Sequence, residues 1–421
     1  MNILVWISDA FRSANSSTYG YSRETTPNLT ELANDGNWYR GVSPATWTLP
    51  AAGSILSGLR PYAHGTLKMD QAFPDIPTIP QVLPDSYTKA FVTAAGYASS
   101  EFGFDRGFDY FNEVTVDAED RWAASINETS AAITKSFESI SNERFFLLAW
   151  SIGPHWPYST EGQWGSTEVR SEASFSAALS NHLKEDLVST YDDQIRHEDS
   201  KFGAFLSELH ERNLYDDTLI IFVSDHGEGF NEGLGAGKNL RGHRGITYQE
   251  LVDIPFVVKP PQQTDTLLPS GNLASLIDIA PTIVDATNSS NTDIMQGKSL
   301  CSTSSRKRAV VQAIGRLEQR YEGVRTSTHN YIRVRASDSH LTNLKTNPME
   351  HLSSLWKSGE YLTNTEGSRS EALNHEAVGE LKEWLNSTIQ EDKQISTQWK
   401  SVNSSITDER RNLLQELGYI D

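Results

Sequence analysis

The sequence contains almost no cysteine, and this scarcity excludes two kinds of site. Cys301 is the only cysteine among 421 residues, so no disulfide can form within the chain and no zinc or redox centre can be built from thiolates. Long apolar runs are missing too, since none approaches the length of about eighteen residues that a membrane-spanning helix needs. The apolar run near the start, NILVWIS, is too short for a signal peptide and lacks a basic leader. We therefore expect a soluble, cytoplasmic protein without a membrane span.

Basic residues are also in deficit. Lysine and arginine total 36 against 55 aspartates and glutamates, which gives a formal net charge of -19. Proteins that bind nucleic acid neutralise phosphates with a surplus of basic side chains, so no nucleic-acid partner is expected. The acidic balance suits a haloarchaeal-like, salt-rich cytoplasm, and an ordinary acidic protein is the equal alternative.

Short apolar runs rich in β-branched and aromatic residues alternate with longer segments of helical period. This alternation is typical of an α/β fold in which helices cover both faces of a mostly parallel sheet. The predicted strands are NILVWIS, YTKAFVTA, RFFLLAWS, TLIIFVS, IPFVVK and AVVQAI. The predicted helices are PNLTELAND, RWAASINETSAAITKSFESI and a segment from about Ser174 to Arg212. The apolar stripe of that long segment comprises Leu187, Tyr191, Ile195, Phe202, Phe205 and Leu209.

The character of the sequence changes after about Gly297, where serine, threonine and asparagine become frequent around shorter strand-like pieces. We expect a large α/β domain over residues 1–300 and a smaller C-terminal α+β subdomain over residues 301–421. The subdomain contains strand-like YEGVRTSTHNYIRVR, a predicted helix HEAVGELKEWLNS and a final amphipathic piece, RNLLQELGYID.

Polar side chains directly follow three of the predicted strands. Asp9 follows the first strand, His155 follows RFFLLAWS, and Asp225 with His226 follows TLIIFVS. Ligands of open parallel sheets collect at the carboxyl ends of the strands, so these residues are candidates for a functional site. Each also has a purely structural explanation when taken alone: a capping aspartate, a turn, or a histidine in a proline-rich loop.

Thr48 lies in TWTLPAAGSILSG, two residues before Pro50, a pattern typical of a helix N-cap. The same place would set its hydroxyl beside the free backbone amides of a helix start, where a phosphate or sulfate oxyanion is stabilised. Two aspartates, a neutral imidazole and a hydroxyl are also a plausible ligand set for one divalent metal, which would activate the hydroxyl as a nucleophile. The two interpretations of Thr48 are compatible.

These residues lie in a series of motifs that resembles, nearly from end to end, the sulfatase branch of the alkaline phosphatase superfamily. The motifs are NILVWISDAFR, YGYSRETTPNLTELANDG, TWTLPAAGSILSGLRPYAHG, GFDRGFDYF, GPHWPY, SDHGE, HRGITYQELVDIPFVV, SLIDIAPTIVDA and LGYID. The resemblance implies a three-layer α/β/α sandwich of the alkaline phosphatase type. It also implies an enzyme that hydrolyses or transfers phosphate or sulfate esters of a small molecule or glycan.

The resemblance assigns roles to individual residues. Asp9, Asp225, His226 and Thr48 are implied ligands of one divalent ion, either Mn²⁺, Zn²⁺, Mg²⁺ or Ca²⁺, with Thr48 as the nucleophile as well. His155 matches the family histidine at the substrate oxyanion or leaving group, and His243 is a second candidate for that proton transfer. Arg244 stands where many sulfatases carry a lysine that grips the sulfate.

Several departures from the sulfatase pattern bear on the chemistry. Thr48 replaces the cysteine or serine that sulfatases oxidise to formylglycine, Ala52 replaces an arginine of that motif, and Ala10 replaces a second aspartate. Oxidation of a secondary alcohol would give a ketone, so aldehyde-hydrate chemistry is not expected. The segment VTAAGYASSEFG also brings neither the lysine nor the histidine of the family. A threonine nucleophile is similar to that of relatives that transfer phosphoglycerol or phosphoethanolamine, although those relatives have membrane spans.

Three hypotheses follow. The first is a metal-dependent hydrolase or transferase that acts on a phosphate ester, a diester in preference, through Thr48. The second is a sulfatase that uses unmodified Thr48, and the third is a catalytically degenerate binding protein. The glycine-rich segment GFNEGLGAGKNLRGHR after the metal-binding pair is either a mobile rim or an ordinary surface loop.

Overall fold

The computed structural model describes residues 1–115, 124–158, 162–169, 172–180, 183–235, 238–243, 245, 247–262, 267–289, 293–302, 304–315, 319–335, 359–364, 369–371, 376–400 and 402–403. The strands in these ranges, in chain order, are β1 Asn2–Ser8, β2 Asn37–Val42, β3 Gln71–Ala72, β4 Thr88–Thr93, β5 Tyr110–Glu113, β6 Phe145–Ser151, β7 Thr218–Ser224, β8 Phe230–Gly235, β9 Lys238–Arg241, β10 Asp253–Lys259, β11 Leu273–Ser275, β12 Ala309–Ile314, β13 Arg320–Arg325, β14 His329–Arg335, β15 Gly359–Asn364, β16 Arg369–Glu371 and β17 Val402–Asn403. The α-helices are α1 Pro27–Asp35, α2 Thr48–Ser57, α3 Pro61–His64, α4 Ile79–Val82, α5 Ile126–Ile140, α6 Glu172–Ser180, α7 Lys184–Glu211, α8 Gln249–Val252, α9 Ile279–Ala286 and α10 Glu376–Ser396.

A central sheet of eight strands runs in the order β11-β2-β10-β7-β1-β6-β4-β5. Strand β1 pairs in parallel with β6 and β7, and β4 pairs in parallel with β6 and β5. Every residue of β1, β6 and β7 is buried, as expected of parallel strands covered on both faces. Strand β10 is antiparallel to both of its neighbours, so the sheet is mixed near one edge.

Successive residues of β1 point to two separate apolar cores, because side chains alternate across a strand. Ile3, Val5 and Ile7 pack with α2 and α9 on one face. Leu4 and Trp6 pack with α1, α5 and α7 on the other face. The predicted three-layer α/β/α arrangement is therefore confirmed.

The predicted elements differ from the structure in several details. The run AVVQAI forms β12, which belongs to a second sheet of five antiparallel strands, β12-β13-β14-β15-β16, and not to the central sheet. The segment from Ser174 to Arg212 is two helices, α6 and α7, and not one. Helix α5 begins after Ser125, whose side chain forms a capping box with Glu128. The predicted piece RNLLQELGYID lies outside the described residues.

The second sheet and α10 form the smaller subdomain. Val310, Val324 and Tyr331 of the sheet pack against the apolar face of α10. The central sheet ends with β11 and the second sheet begins at Ala309, while the division at residue 300 stays a prediction. Within the described ranges, no helix is long and apolar enough to cross a membrane.

Asp392 of α10 joins the subdomain to the segment that follows α2. Its fully buried carboxylate accepts hydrogen bonds from Arg60 Nε at 2.8 Å, Gln296 Nε2 at 2.9 Å and Gln312 Nε2 at 2.6 Å. The neighbouring Glu391 contacts Arg60 Nη2 at 2.8 Å, but 54% of its side chain is exposed. Because a buried charge needs paired donors, Asp392 is the stronger of the two anchors.

Candidate active site

The parallel register of β1 and β7 brings the first two candidate ligands together. Ser8 at the end of β1 lies opposite Ser224 at the end of β7, so the next residues, Asp9 and Asp225, leave the sheet side by side. The backbone amides of Ala10 and His226 donate to Asp225 Oδ1 at 3.1 and 2.8 Å. These bonds fix the Asp225 carboxylate and leave its other oxygen, Oδ2, for the site.

Three oxygens converge on one ring nitrogen of His226. The Nε2 atom lies 3.4 Å from Asp9 Oδ1, 3.4 Å from Asp225 Oδ2 and 3.4 Å from Thr48 Oγ1. The ligand atoms of Asp9, Asp225 and His226 all lie within 4.8 Å of one another. All four side chains are buried, so the sequence prediction that these residues meet at one place agrees with the geometry.

Thr48 is the first residue of α2, whereas Trp47 occupies the cap position in extended conformation. No side chain caps this helix, so the structure departs from the sequence-based expectation that Thr48 is the cap. Its hydroxyl faces His226 instead, while the first backbone N–H groups of α2 have no partner within the helix. The nucleophile candidate and the amino-terminal end of a ten-residue helix therefore lie at the same point, and helix ends of this kind favour anions.

Negative charges lie close together in this cluster when no metal ion is bound. Burial raises the pKa of Asp9, and the negative charges of Asp225 and Glu228 raise that pKa further. Burial also raises the pKa of Asp225, although nearby His226 lowers it. Both carboxylates thus lie where a positive charge would be stabilising.

The donor set fits a divalent cation. Asp9 Oδ1 and Asp225 Oδ2 are buried without a hydrogen-bond partner, a costly state for a carboxylate oxygen. The Nδ1–H of His226 donates to the carbonyl oxygen of Gly227 at 2.8 Å, which turns the lone pair of Nε2 toward the same two oxygens. One imidazole, two carboxylates and a hydroxyl are ligand types that zinc, manganese, magnesium and calcium sites use.

Two further predicted residues lie beside this cluster, and a third is not described. The His243 ring centroid is 4.5 Å from that of His226 and 5.0 Å from that of His155. The three imidazoles therefore form a row that begins at the candidate metal ligands. Arg244 lies outside the described residues. The glycine-rich segment forms the antiparallel hairpin of β8 and β9, and its mobility stays a prediction.

Two residues that shape the site were not predicted from the sequence. Glu228 is fully buried two residues after His226, and burial raises its pKa to about 7. The hydroxyl of Tyr191, in α7, donates to the carbonyl oxygen of Ala10 at 2.7 Å and accepts from the amide of Arg12 at 2.9 Å. In the sequence, the position of Glu228 within SDHGEG, close to Asp225 and His226, is the signal that could have indicated a role in the site. Tyr191 was predicted solely as part of an apolar stripe.

Comparison with known proteins settles the family. The model of the Sulfatase family matches residues 1–289. The chain belongs to the Sulfatase family. This confirms the resemblance that was drawn from the motifs.

Two curated relatives and one solved structure illustrate the range of this likeness. The chain is 24% identical over 295 residues to the low-salt glycan biosynthesis sulfotransferase Agl7 of Haloferax volcanii, a match that covers 68% of the chain and 60% of the relative. It is 25% identical over 267 residues to the phosphoethanolamine transferase EptA of Helicobacter pylori, covering 61% of the chain and 47% of the relative. The matched region thus spans about half of each curated relative. A protein in the alkaline phosphatase superfamily from Vibrio parahaemolyticus superposes with a TM-score of 0.62 at 17% identity, covering 95% of this chain and 88% of that one, which confirms the predicted fold.

Proposed function

We propose that the chain is a metal-dependent hydrolase or transferase that acts on a phosphate ester, a diester in preference, with Thr48 as the nucleophile. The observation that carries this proposal is the convergence of the Thr48 hydroxyl, Asp9 and Asp225 on Nε2 of His226, each at 3.4 Å. The similarity to a phosphoethanolamine transferase adds support. Membership of the Sulfatase family is also consistent with ester chemistry.

Asp9, Asp225, His226 and Thr48 would hold one divalent ion. The imidazole ligand favours Mn²⁺ or Zn²⁺ over the alternatives Mg²⁺ and Ca²⁺. When bound, such an ion supplies the positive charge that lowers the pKa of a hydroxyl and neutralises a substrate oxyanion. A single ion is favoured over two because Ala10 stands where the family has a second aspartate.

The residues of the chain have distinct proposed roles in the reaction. Thr48 Oγ1 gives up its proton to solvent water and forms a bond to phosphorus in line with the leaving oxygen, whose bond to phosphorus breaks. His243 or His155 protonates the leaving oxygen. The backbone amides at the start of α2 and the Arg244 guanidinium stabilise the negative charge on the equatorial oxygens. The phosphothreonine then passes its phosphoryl group to water or to an acceptor alcohol.

Sulfate esters are the second candidate substrate class. The specific observation in their favour is the similarity to a protein named as a glycan biosynthesis sulfotransferase. A sulfuryl group has the same tetrahedral arrangement of oxygens, so the same hydroxyl and anion-binding helix end could serve it.

A panel of substrates with a threonine variant tests the proposal. Bis(4-nitrophenyl) phosphate, 4-nitrophenyl phosphate and 4-nitrophenyl sulfate would each be assayed with Mn²⁺, Zn²⁺, Mg²⁺ and Ca²⁺. Thr48→Ala should lower turnover by at least about 10³-fold, as expected when a nucleophile is removed. The matched control is Thr46→Ala, because Thr46 is equally buried and its hydroxyl makes no hydrogen bond.

The outcomes separate the hypotheses. Full turnover by Thr48→Ala with metal bound would exclude the covalent route. Faster turnover of the sulfate ester than of both phosphate esters would select sulfuryl chemistry. The degenerate binding protein would be indicated by the absence of turnover together with no metal binding at micromolar concentrations in a calorimetric titration.

Other features of the molecule stay predictions with direct tests. Limited proteolysis should cut near residue 300 if residues 1–300 and 301–421 are separate units. Cell fractionation tests the expected cytoplasmic location, and a gel-shift assay tests the expected lack of nucleic-acid binding. Stability measured against potassium chloride concentration tests the interpretation of a salt-rich, haloarchaeal-like source.

A further inference from the structure

Glu228 is a buried carboxylate outside the set of candidate metal ligands. Its side chain is fully buried, and its oxygens lie 3.1 and 3.3 Å from Nδ1 of His243. The backbone amide of Gly229 also donates to Oε1, at 3.0 Å. A buried carboxylate is costly unless donors satisfy it, so the contact with His243 is a principal reason why Glu228 can occupy this place.

The backbone fixes the two residues opposite each other. Gly229 and Gly242 form two hydrogen bonds with each other at the end of the β8–β9 hairpin. The amide of Gly229 donates to the carbonyl oxygen of Gly242 at 3.1 Å, and the amide of Gly242 donates to the carbonyl oxygen of Gly229 at 3.0 Å. Gly242 has a φ of +65°, a left-handed conformation that glycine adopts without steric cost. The residue before Gly229 and the residue after Gly242 are therefore presented to each other by this closed pair.

The contact with Glu228 determines which nitrogen of His243 carries the proton in the neutral ring. A carboxylate acceptor holds the proton on Nδ1, as second-shell carboxylates do for histidines in other sites. Nε2, on the opposite side of the ring, is then the nitrogen that can exchange a proton with a substrate. The ring itself lies beside His226 and His155, at 4.5 and 5.0 Å between centroids.

We propose that Glu228 is a positioning residue that holds His243 in the Nδ1–H form, with Nε2 directed to the leaving oxygen of the ester. This inference rests on the proposed function. In the resting protein Nε2 carries no proton, and it takes one up from solvent water before the step concerned. As the bond between phosphorus and the leaving oxygen breaks, that proton passes from Nε2 to the leaving oxygen. His243 becomes neutral and keeps its Nδ1 proton, while Glu228 neither gains nor loses one.

Kinetics with two leaving groups test this role. Glu228→Gln keeps the size of the side chain, but its amide can donate as well as accept and so releases the constraint on His243. With metal-loaded enzyme, kcat for dibenzyl phosphate should fall about 10- to 100-fold, because an alkoxide leaves poorly without a proton. For bis(4-nitrophenyl) phosphate, kcat should change by no more than roughly threefold, since nitrophenolate needs little protonation.

Glu232→Gln is the matched control. It removes the same charge from the same hairpin, but Glu232 contacts Arg12 at 2.9 Å and not a histidine. We expect equal effects of this control on both substrates. An equal loss for both substrates in Glu228→Gln would overturn the positioning role and indicate a structural one.

A spectroscopic measurement tests the inference without turnover. Long-range ¹H–¹⁵N correlation on the Zn²⁺-loaded protein labelled at histidine should show His243 as the Nδ1–H tautomer, and Glu228→Gln should convert it partly to the Nε2–H form. An Nε2–H tautomer in the parent protein would refute the inference even if Thr48→Ala abolishes turnover. Conversely, an active Thr48→Ala would refute the proposed function while the tautomer result still decides the role of Glu228.

Discussion

Replacement of Asp9 by asparagine should stabilise the metal-free protein. Asp9 Oδ1 is buried without a hydrogen-bond partner, close to a second such oxygen on Asp225. Burial and neighbouring negative charges raise the pKa of Asp9, which means that the folded state disfavours its ionised form. The protonated form of such a group contributes to the free energy of unfolding. That contribution is lost as pH rises from the ordinary pKa of an aspartate through the raised pKa of the folded state. At pH 8, Asp9→Asn removes the penalty.

The separation of the two carboxylates sets the size of the effect. Ligand oxygens within 4.8 Å of each other repel by about 3.5 kcal/mol at an effective dielectric constant of ~20. Because the raised pKa values keep part of the population protonated and His226 offsets part of the repulsion, we expect a gain of about 1 to 3 kcal/mol. For a chain of this size, that gain corresponds to a rise of roughly 2 °C per kcal/mol in the melting temperature.

Thermal unfolding measured before and after removal of metal by EDTA provides the assay. Parent protein should gain about 2.7 kcal/mol when Mn²⁺ or Zn²⁺ is added at a hundred times its dissociation constant, whereas Asp9→Asn should gain much less. Asp199→Asn is the control for a carboxylate that the fold itself holds. Burial raises the pKa of Asp199 to about 6, but its two oxygens accept the backbone amides of Asn28 and Leu29 at 3.0 and 2.9 Å, and an asparagine would set its NH2 group against one of these donors. If Asp9→Asn lowers the metal-free melting temperature as Asp199→Asn does, the fold itself holds Asp9 and our reasoning about a cation site is wrong.

Three further changes have defined outcomes. Asp392→Ala should lower the free energy of unfolding in urea by about 3 to 5 kcal/mol, because it leaves buried donors unpaired. Glu391→Ala should lower it by less than about 1 kcal/mol, and equal losses would contradict the interpretation of Asp392 as the stronger anchor. Burial raises the pKa of Glu198 from 4.5 to about 7, so stability should fall by about 3 kcal/mol from this group as pH rises through that interval. Glu198→Gln should flatten this pH profile in chemical denaturation, and an unchanged slope would contradict the burial argument. Gly242→Ala should lower kcat, while the melting temperature should fall by only a few degrees because a left-handed alanine costs about 1–2 kcal/mol of folding free energy. An unchanged kcat would show that the hairpin end does not position His243.

The buried strands of the fold were predictable because their short apolar runs are almost uninterrupted. Strands β1, β6 and β7 are apolar at nearly every residue, which is the pattern of a parallel sheet between two helical layers. Strands β2 and β5 were missed because exposed residues such as Arg40 and Tyr110 interrupt their patterns. The direction of β10 and the membership of β12 in a second sheet were not predictable, since an apolar run has the same sequence pattern in either orientation.

The site divides into a part that sequence order reveals and a part that only the folded chain reveals. Asp9, Asp225 and His226 follow strands whose carboxyl ends lie at the same edge of the sheet when the strands are parallel. That these residues lie near one another could therefore be predicted from the strand ends. Glu228 lies three residues after Asp225 in a glycine-rich stretch, where an acidic residue is typical of an exposed turn. Its burial is explained by the contact with His243, which the β8–β9 hairpin brings next to it. No local sequence pattern predicts that contact.

Ala10 supports our proposal of one ion in preference to two. The residue at this place adopts a φ of +60°, a left-handed conformation that costs a non-glycine residue about 1–2 kcal/mol. Its amide donates to Asp225 Oδ1 at 3.1 Å and its carbonyl accepts from the Tyr191 hydroxyl at 2.7 Å, so the backbone here is held from both sides. The turn after β1 thus orients the carboxylate of Asp225, and its own side chain is a methyl group at the place where the resemblance to sulfatases implies a second aspartate. A second ion would need further negative charge, and the carboxylate of Glu228, which is buried two residues after His226, contacts Nδ1 of His243 at 3.1 Å.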